Sequence, residues 1–353
     1  MLRRNEVIVM LTERQLLILE AIIRDYTNIG QPIGSKVLQQ QLPIHVSSAT
    51  IRNEMLALEK MGYLKKEHSS SGRIPSLKGY RYYIDNLVEP MKLDKKVRTD
   101  IRQAFGNELL KVDDLVQTSA KLLSDLTNYT AITLKPETAT LRLEGFRLVP
   151  LGRQQVMAIM VTSDGSVQSQ IFTIPARLSG EELEPVIRAI NDRVIGLPLS
   201  QVPAQLQALT PFLTKYLQDP GNFLDVFGNI LSKAVEDQVF VDGKLNLLDF
   251  TKSNDVQQIK ALYSLLEERP LLGKLTATDA NQDVSVRFGD DFAKSLSDYS
   301  IVSATYGDPH AGQGIIAILG PTNMPYSKMI GILGAFQQEL TARLLNYYKN
   351  FEE

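Results

Sequence analysis

From Thr12 to Asn28 the apolar residues Leu16, Leu17, Leu19, Ile22, Ile23 and Tyr26 recur at helical spacing, which predicts a helix with one buried face. Gly30 and Pro32 end it. A short second helix is expected over Ser35–Gln41, with Ser35 as its cap, Val37 and Leu38 turned inward and Pro43 closing it. A third runs from Ser47 or Ser48 to about Met61, with Gly62 just past its end. Tyr63 to Glu67 then alternates like a strand, Ser69-Ser70-Ser71-Gly72 is a polar tip, and Arg73-Ile74-Pro75 returns. Three helices followed by a hairpin is the order of a winged helix-turn-helix.

Downstream, a helical stretch reaches Leu87 and Pro90 marks a boundary, after which residues 93–126 read as one long amphipathic helix striped by Leu109, Leu115, Val116, Leu122 and Leu123. Residues 130–174 turn to strands, with Asp164-Gly165 as a hairpin signal. Ser179 and Glu182 have capping-box spacing for a helix that ends at Gly196. The pattern is helical again from 199 to 239, a further hairpin is expected at Asp242-Gly243, and a helix follows from Asn254 to Glu267. Beyond Pro270 the chain returns to strands and closes with a helix from about Tyr326 to Tyr348. The expected fold class is therefore α+β and multidomain. Residues 1–90 form the first domain, and 91–199 with 276–353 form a discontinuous α+β domain. A mostly helical insertion at 200–275 interrupts the latter.

Composition narrows the chemistry. The 353 residues include no cysteine, which excludes disulfides, thiolate zinc sites and cysteine nucleophiles. The histidines, His45, His68 and His310, are too scattered for a metal cage, so no metal and no cofactor is expected. Val7–Leu11 is too short for a signal-peptide core and no run reaches membrane-spanning length, so a cytoplasmic location without membrane contact is expected. Net charge is −2, yet residues 1–84 hold 12 basic against 7 acidic side chains, which leaves the remainder acidic. A basic head on an acidic body fits a module that binds a polyanion.

Within the third helix Ile51, Met55 and Leu58 share the core face, while Thr50, Arg52, Asn53 and Leu56 point elsewhere and the polar ones sit in its first turns. Arginine can bond guanine and asparagine adenine bidentately in a major groove. Ser48, Thr50, Arg52 and Asn53 are therefore the candidate groove residues. Lys65, Lys66 and Arg73 flank the hairpin tip, placed for phosphates or a minor groove. Tyr80, Tyr82 and Tyr83 read as helix packing. Gly312-Gln313-Gly314 through Ala317 matches a dinucleotide fingerprint in letters, but a strand follows where a helix is required. No catalytic set emerges, and the function classes left open are a DNA-binding regulator and a sensor with a small-molecule pocket.

Five segments add a resemblance: Pro32-Ile33-Gly34-Ser35, SSATIRNEM (Ser47 to Met55), LEKMGYL (Leu58 to Leu64), SSSGRIPS (Ser69 to Ser76) and GYRYYID (Gly79 to Asp85). Together with VRFGDD, SIVSATY and GPTNMPY near the C-terminus they closely resemble the HrcA family of bacterial heat-inducible transcription repressors. Asn323 stands where that family usually carries arginine. The resemblance implies a winged helix-turn-helix domain, a GAF-like α+β domain and an inserted dimerisation domain. It further implies a homodimer that represses chaperone operons through the inverted-repeat operator called CIRCE, with activity promoted by the GroE chaperonin. The alternative it leaves is a regulator that binds a metabolite in the GAF-like domain.

Overall fold

Thr12 opens the first helix with a reciprocal cap: its hydroxyl accepts from the Gln15 amide at 3.3 Å, and its own amide donates to the Gln15 side chain at 3.1 Å. The computed structural model describes residues 11–67, 72–106, 112–137, 141–152, 154–163, 165–173, 184–215, 221, 224–225, 227–231, 239–250, 256–267, 284–291, 294–308 and 312–349. Helices α1 (Glu13–Ile29), α2 (Ser35–Gln41) and α3 (Ser48–Lys60) are followed by strands β1 (Leu64–Lys65) and β2 (Ile74–Pro75), paired antiparallel, and by α4 (Leu77–Asn86). The apolar stripes meet as the spacing required: Ile18, Leu19, Ile22 and Ile23 of α1 share a core with Leu38, Ile51, Met55 and Leu58. Two details differ from expectation. Gly34, not Ser35, precedes the first turn of α2 without a side-chain cap, because the Ser35 hydroxyl is engaged with that of Ser48 at 2.9 Å. Val37 is exposed, since Leu38 alone of this short helix reaches the core.

The long helix expected over 93–126 is two, α5 (Lys95–Ala104) and α6 (Val112–Thr127). Gly106 adopts φ +65°, a left-handed conformation that ends a helix, while Phe105 turns inward against the Phe336 ring at 6.1 Å. Local periodicity is blind to such a break because both halves keep an apolar stripe.

Five strands, β3 (Thr130–Glu137), β7 (Val239–Asp242), β8 (Val284–Phe288), β9 (Tyr299–Asp308) and β10 (Gly312–Pro321), form one antiparallel sheet in the order β7-β3-β10-β9-β8. Gly312 and Gly314 lie inside β10, so the glycine motif there is sheet. Alternate residues feed two cores. Ala131, Val302, Ala304, Ile316 and Ile318 pack on α6 and the closing helix α11 (Tyr326–Lys349), whereas Ile132, Ile301, Ala317 and Leu319 pack on α10 (Val256–Glu267). At Asp242-Gly243 no second strand returns. Gly243 takes φ +67° and opens a 3₁₀ turn over Lys244–Asp249, which carries the chain out of the sheet after β7 has paired with β3.

A second sheet, β4 (Leu143–Gly152), β5 (Gln155–Thr162) and β6 (Val167–Thr173), stands apart from the first. Val156, Ala158 and Met160 of β5 pack with Val186 and Ile190 of α7 (Glu184–Val194), with Val202 and Leu206 of α8 (Val202–Ala208), with Leu213 of α9 (Thr210–Leu213), and with Phe227 and Ile230. This core corrects the expected domain limits. The interruption runs through residues 141–231 rather than 200–275, and the boundary expected at 199 falls within a single core. Conversely, of the elements expected in the insertion, β7 belongs to the five-stranded sheet and α10 packs on it. Lys135 of β3, with a side chain 10% exposed, ties the two units by pairing with Asp113 of α6 at 2.8 Å and donating to Ser166 at 3.0 Å. The capping box at Ser179 and Glu182, Asp164 of the expected turn, His68 and His310 lie outside the described residues. Among the described residues no helix is long and apolar enough to cross a membrane.

Candidate nucleic-acid interface

Ser47 sets the start of α3: its hydroxyl accepts from the Thr50 amide at 3.1 Å and meets the Thr50 hydroxyl at 2.9 Å. Ile51, Met55 and Leu58 are buried, which turns Arg52, Asn53 and Leu56 outward, all exposed. Among the described residues neither Arg52 nor Asn53 has an intramolecular partner, so both polar ends are available to a ligand. Ser48 and Thr50 are half-buried, and their hydroxyls are engaged with Ser35 and Ser47. The helix is braced at its middle by Glu54, which accepts from Arg14 at 2.6 and 2.8 Å and from the Gln15 side chain at 3.0 Å.

The hairpin splits the three cations expected there. Lys65 is exposed and, among the described residues, unpaired; Lys66 is exposed and lies 3.9 Å from Glu59. Arg73 is different. Its side chain is 11% exposed, and Nε and one terminal nitrogen converge on Glu59 Oε2 at 2.8 and 2.7 Å. The sequence reading missed Glu59 as its partner. A signal was present: Glu59 follows the buried Leu58 in the last turn of α3, so a strand returning along that helix passes its carboxylate. The tip residues 68–71 lie outside the described residues, and His45 is exposed.

The tyrosines pack, as their helical placement suggested. Tyr63 and Tyr82 meet edge to face at 5.3 Å, and Tyr80 reaches out of α4 to Tyr326 at 5.9 Å and Phe288 at 6.4 Å. Burial pushes the Tyr80 hydroxyl well above its ordinary range, with repulsion from Tyr26 adding to the effect and the neighbouring Thr27 side chain opposing it. Beside this cluster Arg81 pairs with Asp291 at 2.6 Å and lies over the Phe288 ring. Glu89 and Met91 are tied to Ser327 at 2.6 and 2.8 Å. The head is thus fastened to the start of α11 and the end of β8, and one continuous hydrophobic core runs from Leu11 to Tyr347.

This arrangement is an exposed helix face with two free hydrogen-bonding side chains beside an exposed cationic strand, all on a braced scaffold. The family model described as the HrcA protein C terminal domain matches residues 113–330. Proteins named heat-inducible transcription repressor HrcA align along nearly the whole chain. The one from Ligilactobacillus salivarius is 59% identical over 350 residues, covering 98% of this chain and 100% of that protein. Those from Limosilactobacillus reuteri and Enterococcus faecalis are 48% and 46% identical, covering 97% and 96% of this chain and 99% of each relative. A crystal structure of a hypothetical protein shares the fold with a TM-score of 0.64 at 23% identity, covering 97% of this chain and 100% of that one. With more than half of its length matched by the family model and relatives aligned from end to end, this chain belongs to the HrcA family of heat-inducible transcription repressors.

Proposed function

We propose that this protein is a sequence-specific DNA-binding repressor of heat-shock genes whose residues 11–86 form a winged helix-turn-helix, with α3 in the major groove and the hairpin as wing. The observation that carries the reading is the outward pair Arg52 and Asn53 on the first turns of α3, exposed and, among the described residues, without internal partners, with Lys65 and Lys66 exposed on the hairpin that follows. Arg52 and Asn53 read base edges, Lys65 and Lys66 neutralise phosphate, and Ser48 and Thr50 sit at the helix N-terminus where a phosphate approaches. The five-stranded sheet with its two helical layers is the GAF-like unit. The family resemblance supports a homodimer on the CIRCE inverted repeat, since a two-fold operator calls for a two-fold reader, and promotion by the GroE chaperonin.

The test is binding of CIRCE and random duplexes across a salt series. Arg52→Ala and Asn53→Ala are each expected to cost about 1–3 kcal/mol per half-site on CIRCE and little on random DNA. Lys65→Ala weakens both and lowers the salt slope by about one phosphate per subunit. Equal losses on both duplexes for Arg52→Ala and Asn53→Ala would show that α3 is not the reader.

A further inference from the structure

A hairpin whose ladder is two residues long cannot set its own direction, because an isolated two-stranded ribbon is marginal in water. β1 and β2 pair only as Leu64 with Pro75 and Lys65 with Ile74, so the tilt of the wing must be imposed from outside. Both impositions meet at Arg73. Its amide donates to the Ile33 carbonyl and its carbonyl accepts from the Ile33 amide, each at 2.9 Å, which pins the returning strand between α1 and α2. Its guanidinium then reaches Glu59 in the last turn of α3. The same carboxylate faces Lys66 on the outgoing side. One acid on the reading helix therefore holds both sides of the hairpin.

We propose that Arg73 is a positioning residue for DNA recognition: through Glu59 it fixes the wing against α3, so that Lys65 and Lys66 meet phosphate when Arg52 and Asn53 are seated in the groove. The inference rests on the reading of α3 and the hairpin given above, and it replaces the expectation that Arg73 itself touches DNA. A direct contact would open a pair with two short nitrogen–oxygen distances and leave the Glu59 carboxylate facing a polyanion, two unfavourable changes for one new bond. The planar guanidinium matters here, because a lysine ammonium offers the charge without two donors fixed toward one oxygen.

The experiment uses the full chain with CIRCE and random duplexes over a salt series, and compares Glu59→Gln, Arg73→Lys, Lys65→Ala and the combination of Glu59→Gln with Lys65→Ala. Glu59→Gln removes a negative charge beside DNA, yet it is expected to weaken CIRCE binding by about 3- to 10-fold and to flatten the salt slope by about one phosphate per subunit. Arg73→Lys gives the same pattern. Lys65→Ala costs less in the Glu59→Gln background than alone, because a wing out of register has already lost that contact. A purely structural role would lower the thermal midpoint but leave the cost of Lys65→Ala unchanged, and that result overturns the proposal. So does tighter binding of both duplexes by Glu59→Gln, the sign of an arginine released onto DNA. Arg52→Ala, run alongside, separates the two readings: loss of its CIRCE preference upholds α3 as the reader whatever Glu59 shows.

Discussion

Two glycines three residues apart in α11 are expected to answer alanine with opposite signs. At Gly334 an added Cβ has nothing within 4 Å, so Gly334→Ala brings only better helix propensity and a less flexible unfolded chain, about 0.5–1 kcal/mol of stabilisation. At Gly331 the same atom would overlap the Met91 carbonyl oxygen and lie 3.2 Å from its carbon and 3.3 Å from its nitrogen. A backbone cannot rotate aside as a side chain can, so the strap between α4 and α5 must lift. Lifting stretches the Met91 amide bond to the Ser327 carbonyl at 2.8 Å and the Ser327 hydroxyl bond to the Glu89 carbonyl at 2.6 Å. Each such bond contributes about 0.5–1.5 kcal/mol, and overpacking adds about 1–3 kcal/mol, which together outweigh a propensity gain near 1 kcal/mol. The net expectation for Gly331→Ala is a loss of roughly 1–4 kcal/mol, or several degrees in the thermal midpoint at about 2–4 °C per kcal/mol. Thermal melts of the two variants beside the parent measure it, and hydrogen exchange at the Met91 amide should quicken in Gly331→Ala alone. Midpoints that move in the same direction would refute the claim that the strap is seated on Gly331.

Burial raises the Tyr80 and Tyr326 hydroxyls above the ordinary tyrosine range. The unfolded chain releases those protons near pH 10 while the folded chain keeps them, so stability is complete below about pH 10 and falls above it. Urea midpoints measured from about pH 8 to 11 follow the fall, and Tyr80→Phe should make it shallower. Lys135→Ala leaves Asp113 and Ser166 without their shared cation, and because Asp113 is partly exposed the cost is about 1–3 kcal/mol, read as a lower midpoint and faster exchange in β5 and β6.

How much could be read beforehand depended on whether a feature is local. The stripes of α1 and α3 and the start of α3 at Ser47 follow from residues within a turn or two of each other. The partition of strands between sheets does not, because alternation says that a strand has a buried face without saying against what. The burial shows the difference that the letters do not. β5 alternates buried and half-buried positions while β9 is buried on both faces through most of its length, as suits a sheet covered on one side and a sheet covered on two. The pairing of Arg73 was hidden for a related reason: a basic residue beside a hairpin tip looks free until the last turn of the helix behind it is known to present Glu59. Among the four candidate groove residues, Arg52 and Asn53 stand exposed as the wheel required, whereas the hydroxyls of Ser48 and Thr50 are engaged with Ser35 and Ser47.

The fastening of the head to α11 also has a consequence in time. Arg81 finds Asp291 across 210 residues of chain, and Glu89 finds Ser327 across 238. At about 5–20 residues per second the ribosome takes roughly 10–50 seconds to deliver those partners after the head has emerged. During that interval the head has its own three-helix core but no seat for Tyr80. A nascent or truncated chain therefore carries a head with no defined orientation, and its seat against the five-stranded sheet is complete only once the last helix has been made.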